Sequence, residues 1–248
     1  MQFMFITDLD NTLVGDEGAL AILNQKLRQH REEYGTIVVY STGRSLTLYN
    51  ELLTEQELLE PDYLVLSVGT VIYPRGSTQP DQSWNAYLSS GWNRDQVVAI
   101  ASQYHDLILQ PTSEQTDFKV SYFLKETVAQ EMIPSLEDAL AEKGLDVQIV
   151  YSSDKDLDIL PKQGNKGAAV SFLQKMLNMT GDRTVVCGDS GNDLSMFQQA
   201  TAKGIIVGNA KRELREWHAA QLSKDVYLAQ AACSGGILEG LNHFGLLS

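Results

Sequence analysis

Two aspartates stand one residue apart in the stretch ITDLDNTLVG (residues 6–15), directly after the apolar residues 3–6. Carboxylates this close repel each other, so their spacing needs a reason. One reason is structural, because Asp and Asn are common where strands end and helices begin. The other is chemical: Asp8 and Asp10 would form a catalytic pair that shares a cation and a proton. Which interpretation holds depends on what the rest of the chain brings to the same place.

Three further stretches carry residue types suited to chemistry: STGRS (41–45), GNKG (164–167) and CGDSGND (187–193). Taken singly, each has an ordinary interpretation as a helix cap, a solvated lysine or a turn rich in Asp and Asn. The last is the most specific, since three acidic or amide groups around two glycines are costly for structure alone. Together, and in this order along the chain, the four stretches favour a shared site.

The pattern of apolar residues predicts the elements that bring these stretches together. Near-continuous apolar strands alternate with helices, which is typical of a parallel sheet covered on both faces. Strands are predicted at 3–7, 36–40, 63–68, 183–187, 204–207 and 225–229, and helices at 19–27, 45–59, 166–178, 192–200, 211–221 and 236–244. The expected fold class is therefore α/β with a doubly wound parallel sheet, in which ligands bind beyond the carboxyl ends of the strands.

The middle of the chain follows a different pattern and predicts an inserted domain. After a turn-rich linker at 74–83, we expect helices at 94–105 and 134–143 and strands at 118–124, 146–151 and 156–160. Pro134 suits the first turn of its helix, and Gly144 suits the end. This α+β segment, residues 81–159, is predicted to be a cap domain inserted into a core formed by 1–80 and 160–248.

Phosphoryl transfer is the chemistry that the four stretches jointly suggest. Asp8 would attack phosphorus and form an aspartyl-phosphate, while Asp10 would protonate the leaving oxygen and later deprotonate water. A phosphate dianion meets a carboxylate only where charge is cancelled, and hard oxygen ligands favour Mg²⁺. Asp8, the backbone carbonyl of Asp10 and Asp189 would hold that ion, and Asp193 and Asn192 would orient its surroundings.

The phosphate group also needs donors around its oxygens. We expect the hydroxyl of Thr42, the amide of Gly43 and the ammonium of Lys166 to supply them. Arg44, next to that glycine, and Asn192 are further candidates for substrate binding.

The four stretches resemble the motifs of the haloacid dehalogenase superfamily of phosphatases, and the insert resembles its C2-type cap. More closely, YSTGRS, VGTVIY, FKVSYFL, DLDILPKQGNKG and VCGDSGND are similar to the sucrose-phosphate phosphatase family in its compact bacterial form, over essentially the full length. The resemblance implies a HAD-like Rossmannoid core, Mg²⁺ as cofactor, and hydrolysis of sucrose 6-phosphate to sucrose and phosphate. It implies catalytic roles for Asp8, Asp10, Thr42 and Lys166, and metal binding by Asp8, Asp10, Asp189 and Asp193.

Discrimination between phosphate esters is expected from the cap, because a phosphate cradle accepts any of them. Strand alternation places Lys119 and Ser121 on one face of the strand FKVSYFL. In DLDILP, the two apolar residues face the cap core and leave Asp156 and Asp158 on the opposite side. These four residues are the candidates for binding the sugar, against the alternative that they are ordinary solvated charges.

Other notable residues are given structural interpretations. Trp84 and Trp92 could stack on a sugar ring, but packing within the cap core explains them equally well. Cys187 is expected to be a buried strand residue. The stretch NAKREL (209–214) is interpreted as the capped start of a helix.

Composition bounds the functions that this chain can have. A net charge of −13 argues against nucleic acid or an anionic membrane as partner, since both need a basic surface. Two cysteines suit a reducing compartment, and no apolar run approaches the roughly 20 residues of a membrane span. We therefore expect a soluble cytoplasmic protein. The family resemblance implies a small sugar phosphate as ligand and a sucrose-phosphate synthase as a candidate partner.

Two alternatives to a sucrose-phosphate phosphatase remain open at this point. One is a phosphatase of another sugar or glycoside phosphate, for example mannosylglycerate phosphate. The other is a non-catalytic sugar-phosphate-binding partner of a synthase. The intact nucleophile Asp8 disfavours the second, because a binding module has no need of it.

Overall fold

Two sheets organise residues 1–152, 154–221 and 223–247, which are the part of the chain that the computed structural model describes. The strands are β1 Met4–Thr7, β2 Ile37–Ser41, β3 Tyr63–Leu66, β4 Val71–Pro74, β5 Ile108–Leu109, β6 Val120–Phe123, β7 Val147–Ser152, β8 Asp156–Pro161, β9 Thr184–Gly188, β10 Lys203–Ile206 and β11 Val226–Leu228. The α-helices are α1 Glu17–Tyr34, α2 Leu46–Glu55, α3 Gln82–Leu88, α4 Arg94–Ala101, α5 Glu126–Glu142, α6 Lys166–Met176, α7 Leu194–Gln199, α8 Arg212–Gln221 and α9 Cys233–His243.

The larger sheet has the strand order β11-β10-β9-β1-β2-β3-β4 and is parallel except where β4 pairs with β3. The central strand β1 shows why its sequence is apolar throughout. Phe3 and Phe5 pack into the core layer on one face, while Met4 and Ile6 pack into the layer on the other. A strand with both faces covered has no solvated side for alternate polar residues. The predicted doubly wound α/β core is confirmed.

The edge of this sheet departs from the prediction. The stretch 74–83 was expected to be a linker, but Pro74 is the last residue of β4 and residues 82–83 begin the short helix α3. Trp84 of α3 is fully buried in the core layer that contains Met4 and Ile6, and its indole Nε1 donates to the carbonyl of Gly69 at 3.1 Å. The interpretation of Trp84 as a cap residue was therefore wrong. We place the start of the cap near Ser89, after α3, instead of at residue 81.

The smaller sheet, with the order β5-β6-β8-β7, forms the cap together with α4 and α5. Pro134 lies inside α5 and not in its first turn, so the predicted start of that helix was wrong. A proline there removes one helical hydrogen bond. Because Pro134 is exposed, water can satisfy the freed carbonyl, while the buried residues Met132, Leu136 and Leu140 hold the helix against the sheet.

Two chain crossings join the cap to the core, one after α3 and one after β8. The second crossing is tied to the first, because the side-chain amide of Gln163 donates to the carbonyls of Ser90 and Tyr87 at 2.7 and 3.3 Å. Among the described residues, no helix combines the length and the apolar character needed to cross a bilayer.

Candidate active site

Three parallel strands of the larger sheet end at the same edge, and each is followed by a predicted site residue. Asp8 follows β1, Thr42 follows β2 and Asp189 follows β9. The registers of β1 with β2 and with β9 bring these strand ends side by side. A cleft of about 360 Å³ lies between this edge and the cap, which is within the usual range of small-molecule sites.

Most of the predicted site residues line this cleft: Asp8, Asp10, Gly43, Arg44, Lys119, Asp156, Asp158, Asp189 and Asn192. Four others, Thr42, Ser121, Lys166 and Asp193, lie behind its surface and are at most 1% exposed. The structure therefore brings all of them to one place, with the first group at the surface of the cleft and the second directly behind it.

A buried lysine joins two carboxylates at the floor of the cleft. The Nζ of Lys166 donates to Oδ1 of Asp8 at 2.7 Å, to Oδ1 of Asp193 at 2.6 Å and to Oδ1 of Asn192 at 3.0 Å. Burial alone would lower the pKa of Lys166, but the carboxylates of Asp193 and Asp8 raise it above its ordinary value. The lysine stays charged and fixes the position of Oδ1 of Asp8. Within the described part of the chain, no hydrogen bond or ion pair is made with the other oxygen, Oδ2.

Burial dominates the electrostatics of Asp8 itself. Loss of solvation raises the pKa of this carboxyl well above its ordinary value, and Asp193 and Asp189 add to the shift although Lys166 opposes it. The same two causes, burial and the charge of Asp193, raise the pKa of Asp189 to about 7. Such a cluster is stable in its charged form only when more positive charge is added.

The carboxylates of Asp8, Asp189 and Asp193 can bring one oxygen each to within 4.8 Å of one another. All-oxygen donors of this kind suit a hard divalent cation such as Mg²⁺. The hydroxyl of Thr12 donates to Oδ1 of Asp189 at 3.2 Å and so helps to orient that carboxylate. The residues present therefore fit a magnesium ion at this point.

Asp193 also shapes the backbone around the metal site. Its Oδ2 accepts hydrogen bonds from the backbone amides of Asp189 and Ser190, at 3.0 and 3.1 Å. Gly188 allows this close approach, since a Cβ there would lie 2.5 Å from the Cβ of Asp193. With its other oxygen on Lys166, Asp193 shapes the loop that carries Asp189.

Asp10 is held from the neighbouring strand end. Arg44 donates from Nε to Oδ2 of Asp10 at 2.8 Å and from Nη2 to Oδ1 at 2.7 Å. Its remaining nitrogen Nη1 donates to the carbonyl of Leu48 in α2 at 2.8 Å. The hydrogen bonds with Asp10 raise the pKa of Arg44, so the guanidinium remains charged.

The loop after β2 is fixed by backbone hydrogen bonds. The amides of Val68 and Ser67 donate to the carbonyls of Thr42 and Arg44, at 3.1 and 3.0 Å. The hydroxyl of Thr42 accepts from the amide of Arg44 at 3.1 Å. Within the described part of the chain, the amide of Gly43 has no acceptor, and Gly43 lines the cleft. That amide is thus available to an anionic ligand.

On the cap side, the four candidates divide into two groups. Lys119 donates to Ser121 Oγ at 2.7 Å and to Asp158 Oδ1 at 3.3 Å, and Ser121 donates to that same oxygen at 2.5 Å. Ser121 is fully buried, so it orients the other two and does not face the cleft. Asp156 is partly exposed in the cleft and accepts from Gln110 Nε2 at 3.0 Å.

Sequence reasoning missed several residues of the cleft. Gln110 and Glu114 come from a segment of the cap for which no element was predicted, and Ser152 ends β7. Lys211 belongs to the stretch NAKREL, which was interpreted only as a helix start. Its position beyond the carboxyl end of β10, the strand that follows the GDSGND stretch, was the signal that could have identified it.

Cap and core meet directly at two hydrogen bonds. The hydroxyl of Ser45, the N-cap of α2, donates to Oε1 of Glu114, a residue that lines the cleft, at 3.2 Å. The side-chain amide of Asn165, next to Lys166, donates to Gln148 Oε1 of the cap at 3.0 Å. The cleft is therefore bounded by both domains.

Comparison with known proteins agrees with this geometry. The family model described as sucrose-6F-phosphate phosphohydrolase matches residues 1–245. Sucrose-phosphatase 1 of Nicotiana tabacum is 40% identical over 253 residues, which are 99% of this chain and 60% of the tobacco protein. This chain thus spans about 60% of the length of the plant relatives that it matches. Mannosylfructose-phosphate phosphatase of Agrobacterium fabrum is 34% identical, over 97% of this chain and 96% of that protein.

Among solved structures, the sucrose-phosphatase from Synechocystis sp. PCC6803 in complex with sucrose and phosphate superimposes with a TM-score of 0.93. The two chains are 41% identical, and the match covers 99% of each. A haloacid dehalogenase-like hydrolase of Bacillus subtilis shares the fold, with a TM-score of 0.70 and 21% identity. Fold, site and full-length similarity agree: this chain belongs to the sucrose-6F-phosphate phosphohydrolase family, within the haloacid dehalogenase superfamily.

Proposed function

We propose that this protein is a Mg²⁺-dependent phosphatase that hydrolyses sucrose 6-phosphate to sucrose and phosphate, the last step of sucrose synthesis. The observation that carries the proposal is the floor of the cleft, where Lys166 presents Asp8 to a polar cavity that the cap closes. A carboxylate held by a charged lysine, with its second oxygen open, has the geometry of a nucleophile. A protein that only binds a sugar phosphate would gain nothing from it.

The reaction begins with attack of the free oxygen of Asp8 on phosphorus. The new bond forms as the ester bond between phosphorus and the sugar oxygen breaks, and Asp10 donates its proton to that oxygen. The sugar leaves and an aspartyl-phosphate remains on Asp8. Asp10 then takes a proton from water, which attacks phosphorus, releases phosphate and restores Asp8 as a carboxylate.

The metal would be held by Asp8, Asp189 and the backbone carbonyl of Asp10, with Asp193 setting the loop around them. When bound, Mg²⁺ cancels the repulsion between phosphate and carboxylates and stabilises charge on the transferring group. Burial raises the pKa of Asp8, so the residue needs added positive charge if it is to be an anion at neutral pH. Lys166 contributes part of that charge.

The remaining donors would bind the phosphate and the sugar. The free amide of Gly43 points to phosphate binding, supported from behind by Thr42 and from the side by Asn192. Lys119 and Asp156, on the cap side of the same cleft, would bind sugar hydroxyls, with Gln110 and Asp158 beside them. The similarity to the Synechocystis protein, which is in complex with sucrose and phosphate, supports binding of both groups.

A second candidate substrate is mannosylfructose phosphate. The similarity to the Agrobacterium phosphatase named for it covers nearly the whole of both chains, whereas the tobacco protein is matched over 60% of its length. Glucose and mannose differ in the orientation of one hydroxyl, so one pair of cap contacts would decide between the two substrates.

A comparison of sugar phosphates by kcat/KM tests the proposal. Purified protein with Mg²⁺ would be assayed on sucrose 6-phosphate, mannosylfructose phosphate, glucose 6-phosphate, fructose 6-phosphate and p-nitrophenyl phosphate. We expect sucrose 6-phosphate to give the highest value and EDTA to abolish turnover of every ester. A higher value for mannosylfructose phosphate would transfer the assignment to the second candidate. Absence of hydrolysis of all five would contradict both.

A further inference from the structure

Negative charge dominates the cleft that must admit a phosphate ester. Six carboxyl groups line it, from Asp8, Asp10, Glu114, Asp156, Asp158 and Asp189. Within the described part of the chain, three cations share that lining: Arg44, Lys119 and Lys211. The whole protein, cleft residues included, has a net charge of −13. A dianionic substrate therefore enters against the field of both the cleft and the protein.

Two of the three cations are already paired with carboxylates. Arg44 makes two hydrogen bonds with Asp10, and Lys119 lies 3.3 Å from Asp158. Below the floor of the cleft, the charge of Lys166 is shared by two carboxylates and is fully buried. These groups stabilise the site, but little of their charge is left to attract an incoming anion.

Lys211 differs from them. It follows β10, and its backbone amide donates to the carbonyl of Asp189 at 2.7 Å, which anchors the residue beside the predicted metal site. Its side chain is exposed and lines the cleft. Among the residues that the structure describes, none makes an ion pair or a hydrogen bond with its ammonium group, although its charge acts on Asp189 and opposes the rise in the pKa of that carboxyl. The anchor is a backbone bond, so changes of the side chain leave it in place.

We propose that Lys211 is a substrate-binding residue that attracts the phosphate group of the substrate into the cleft and pairs with it there. The inference rests on the proposed function only in taking a phosphate ester as substrate. A cation in a narrow cleft raises the local concentration of an anion and the rate at which it enters, and the effect falls steeply as salt increases. Unlike Lys166, Lys211 would act on binding and not on the chemical step.

The test compares Lys211→Gln and Lys211→Arg with Arg212→Gln as matched control. Arg212 is the next residue, but its side chain is 80% exposed, pairs with Glu216 at 3.8 Å and does not line the cleft. At low ionic strength we expect Lys211→Gln to lower kcat/KM by about tenfold with kcat unchanged. The difference should shrink to about twofold in about 0.5 M salt, where charges more than a few ångströms apart are screened. Arg212→Gln should behave like the original protein, and Lys211→Arg, which keeps the positive charge, should recover most of the kcat/KM that Lys211→Gln loses.

Calorimetric titration with inorganic phosphate, in the presence of Mg²⁺, gives a readout that does not depend on turnover. Lys211→Gln should raise the Kd for phosphate by a similar factor and leave the Kd for sucrose unchanged. Equal kcat/KM and equal phosphate affinity in Lys211→Gln and the original protein would overturn the inference, and so would equal losses in Lys211→Gln and Arg212→Gln. If the original protein hydrolysed no phosphate ester, the proposed function would fail, and the phosphate titration would still decide the role of Lys211.

Discussion

Arg44 holds both carboxylate oxygens of Asp10, with Nε–Oδ2 and Nη2–Oδ1 distances of 2.8 and 2.7 Å. The third nitrogen of the guanidinium is bonded to the carbonyl of Leu48, so the arginine is itself fixed to α2. Two parallel hydrogen bonds define the plane of the carboxylate as well as its position. The loop after β2 therefore orients the residue that we expect to transfer the proton.

Arg44→Lys should lower kcat for sucrose 6-phosphate, because one ammonium group cannot reproduce two parallel hydrogen bonds. Misplacing a reacting group by about 1 Å can cost about 10²-fold, and we expect a loss of about 10- to 100-fold. Steady-state kinetics with saturating substrate measures the change.

A double-mutant cycle distinguishes orientation of Asp10 from a general effect on the fold. Asp10→Asn alone should remove most activity, since general acid–base catalysis contributes about 10²–10⁴-fold. Adding Arg44→Lys to it should cost little more, because the group that Arg44 positions is already lost. Fully additive losses would show that Arg44 acts independently of Asp10.

Asp8→Asn should abolish turnover and leave the protein folded, because an amide cannot attack phosphorus but fills the same space beside Lys166. Kinetics and circular dichroism on the purified variant measure the two effects. Asp225→Asn serves as the control, since Asp225 is exposed and precedes the outermost strand β11, at the end of the sheet opposite to the carboxyl ends of the strands. Near-normal turnover by Asp8→Asn would contradict the proposed mechanism.

Magnesium affinity should depend on pH through Asp189, whose pKa burial and Asp193 raise to about 7. The ion binds the deprotonated carboxylate, so Asp189 should make the affinity rise up to tenfold per pH unit below about 7. Asp189→Asn should weaken binding and make the pH dependence shallower, with the remainder due to Asp8, whose pKa burial also raises. Calorimetric titration at pH 5.5, 6.5 and 7.5 tests both statements, and a flat profile for the original protein would contradict them.

The raised pKa of Asp189 also predicts how the stability of the metal-free protein depends on pH. The folded pKa of Asp189 lies above its usual value of 3.8, so its contribution to stability is fully present below about 4 and is lost as the pH rises through about 7. In EDTA at pH 8, Asp189→Asn should therefore have a higher Tm than the original protein, whereas near pH 4 the two should agree. Added Mg²⁺ should reverse the order at pH 8.

Much of the site was predictable because it depends on where strands end. Asp8, Thr42 and Asp189 each follow a buried apolar strand. A parallel sheet brings the carboxyl ends of its strands to one side, independently of which side chains follow them. The pairing of Arg44 with Asp10 was not predictable, since it depends on side-chain directions across 34 positions of sequence. Local patterns gave wrong helix boundaries where packing decided the structure. Pro134, for example, predicted the start of a helix but lies inside α5.

The cap residues test how the substrate is recognised. Asp156 has the clearest role to examine, because it is partly exposed in the cleft, whereas Lys119 and Asp158 are buried and depend on each other. Asp156→Asn keeps the shape of the side chain and its contact with Gln110, but it removes the charge that would accept hydrogen bonds from sugar hydroxyls. Hydrogen bonds to charged groups contribute about 1.5–3 kcal/mol, so kcat/KM for sucrose 6-phosphate should fall by about 10- to 100-fold.

The generic ester p-nitrophenyl phosphate has no sugar hydroxyls and should be hydrolysed equally by Asp156→Asn and the original protein, because the phosphate contacts lie on the core. Asp154→Asn is the matched control: this residue is exposed two positions earlier, between β7 and β8, and does not line the cleft. It should leave kcat/KM unchanged for both esters. If Asp156→Asn lowered kcat/KM equally for both esters, the substitution would have displaced the cap. If kcat/KM changed for neither ester, the sugar would be bound by other cap residues, and Gln110 and Glu114 would be the next to substitute.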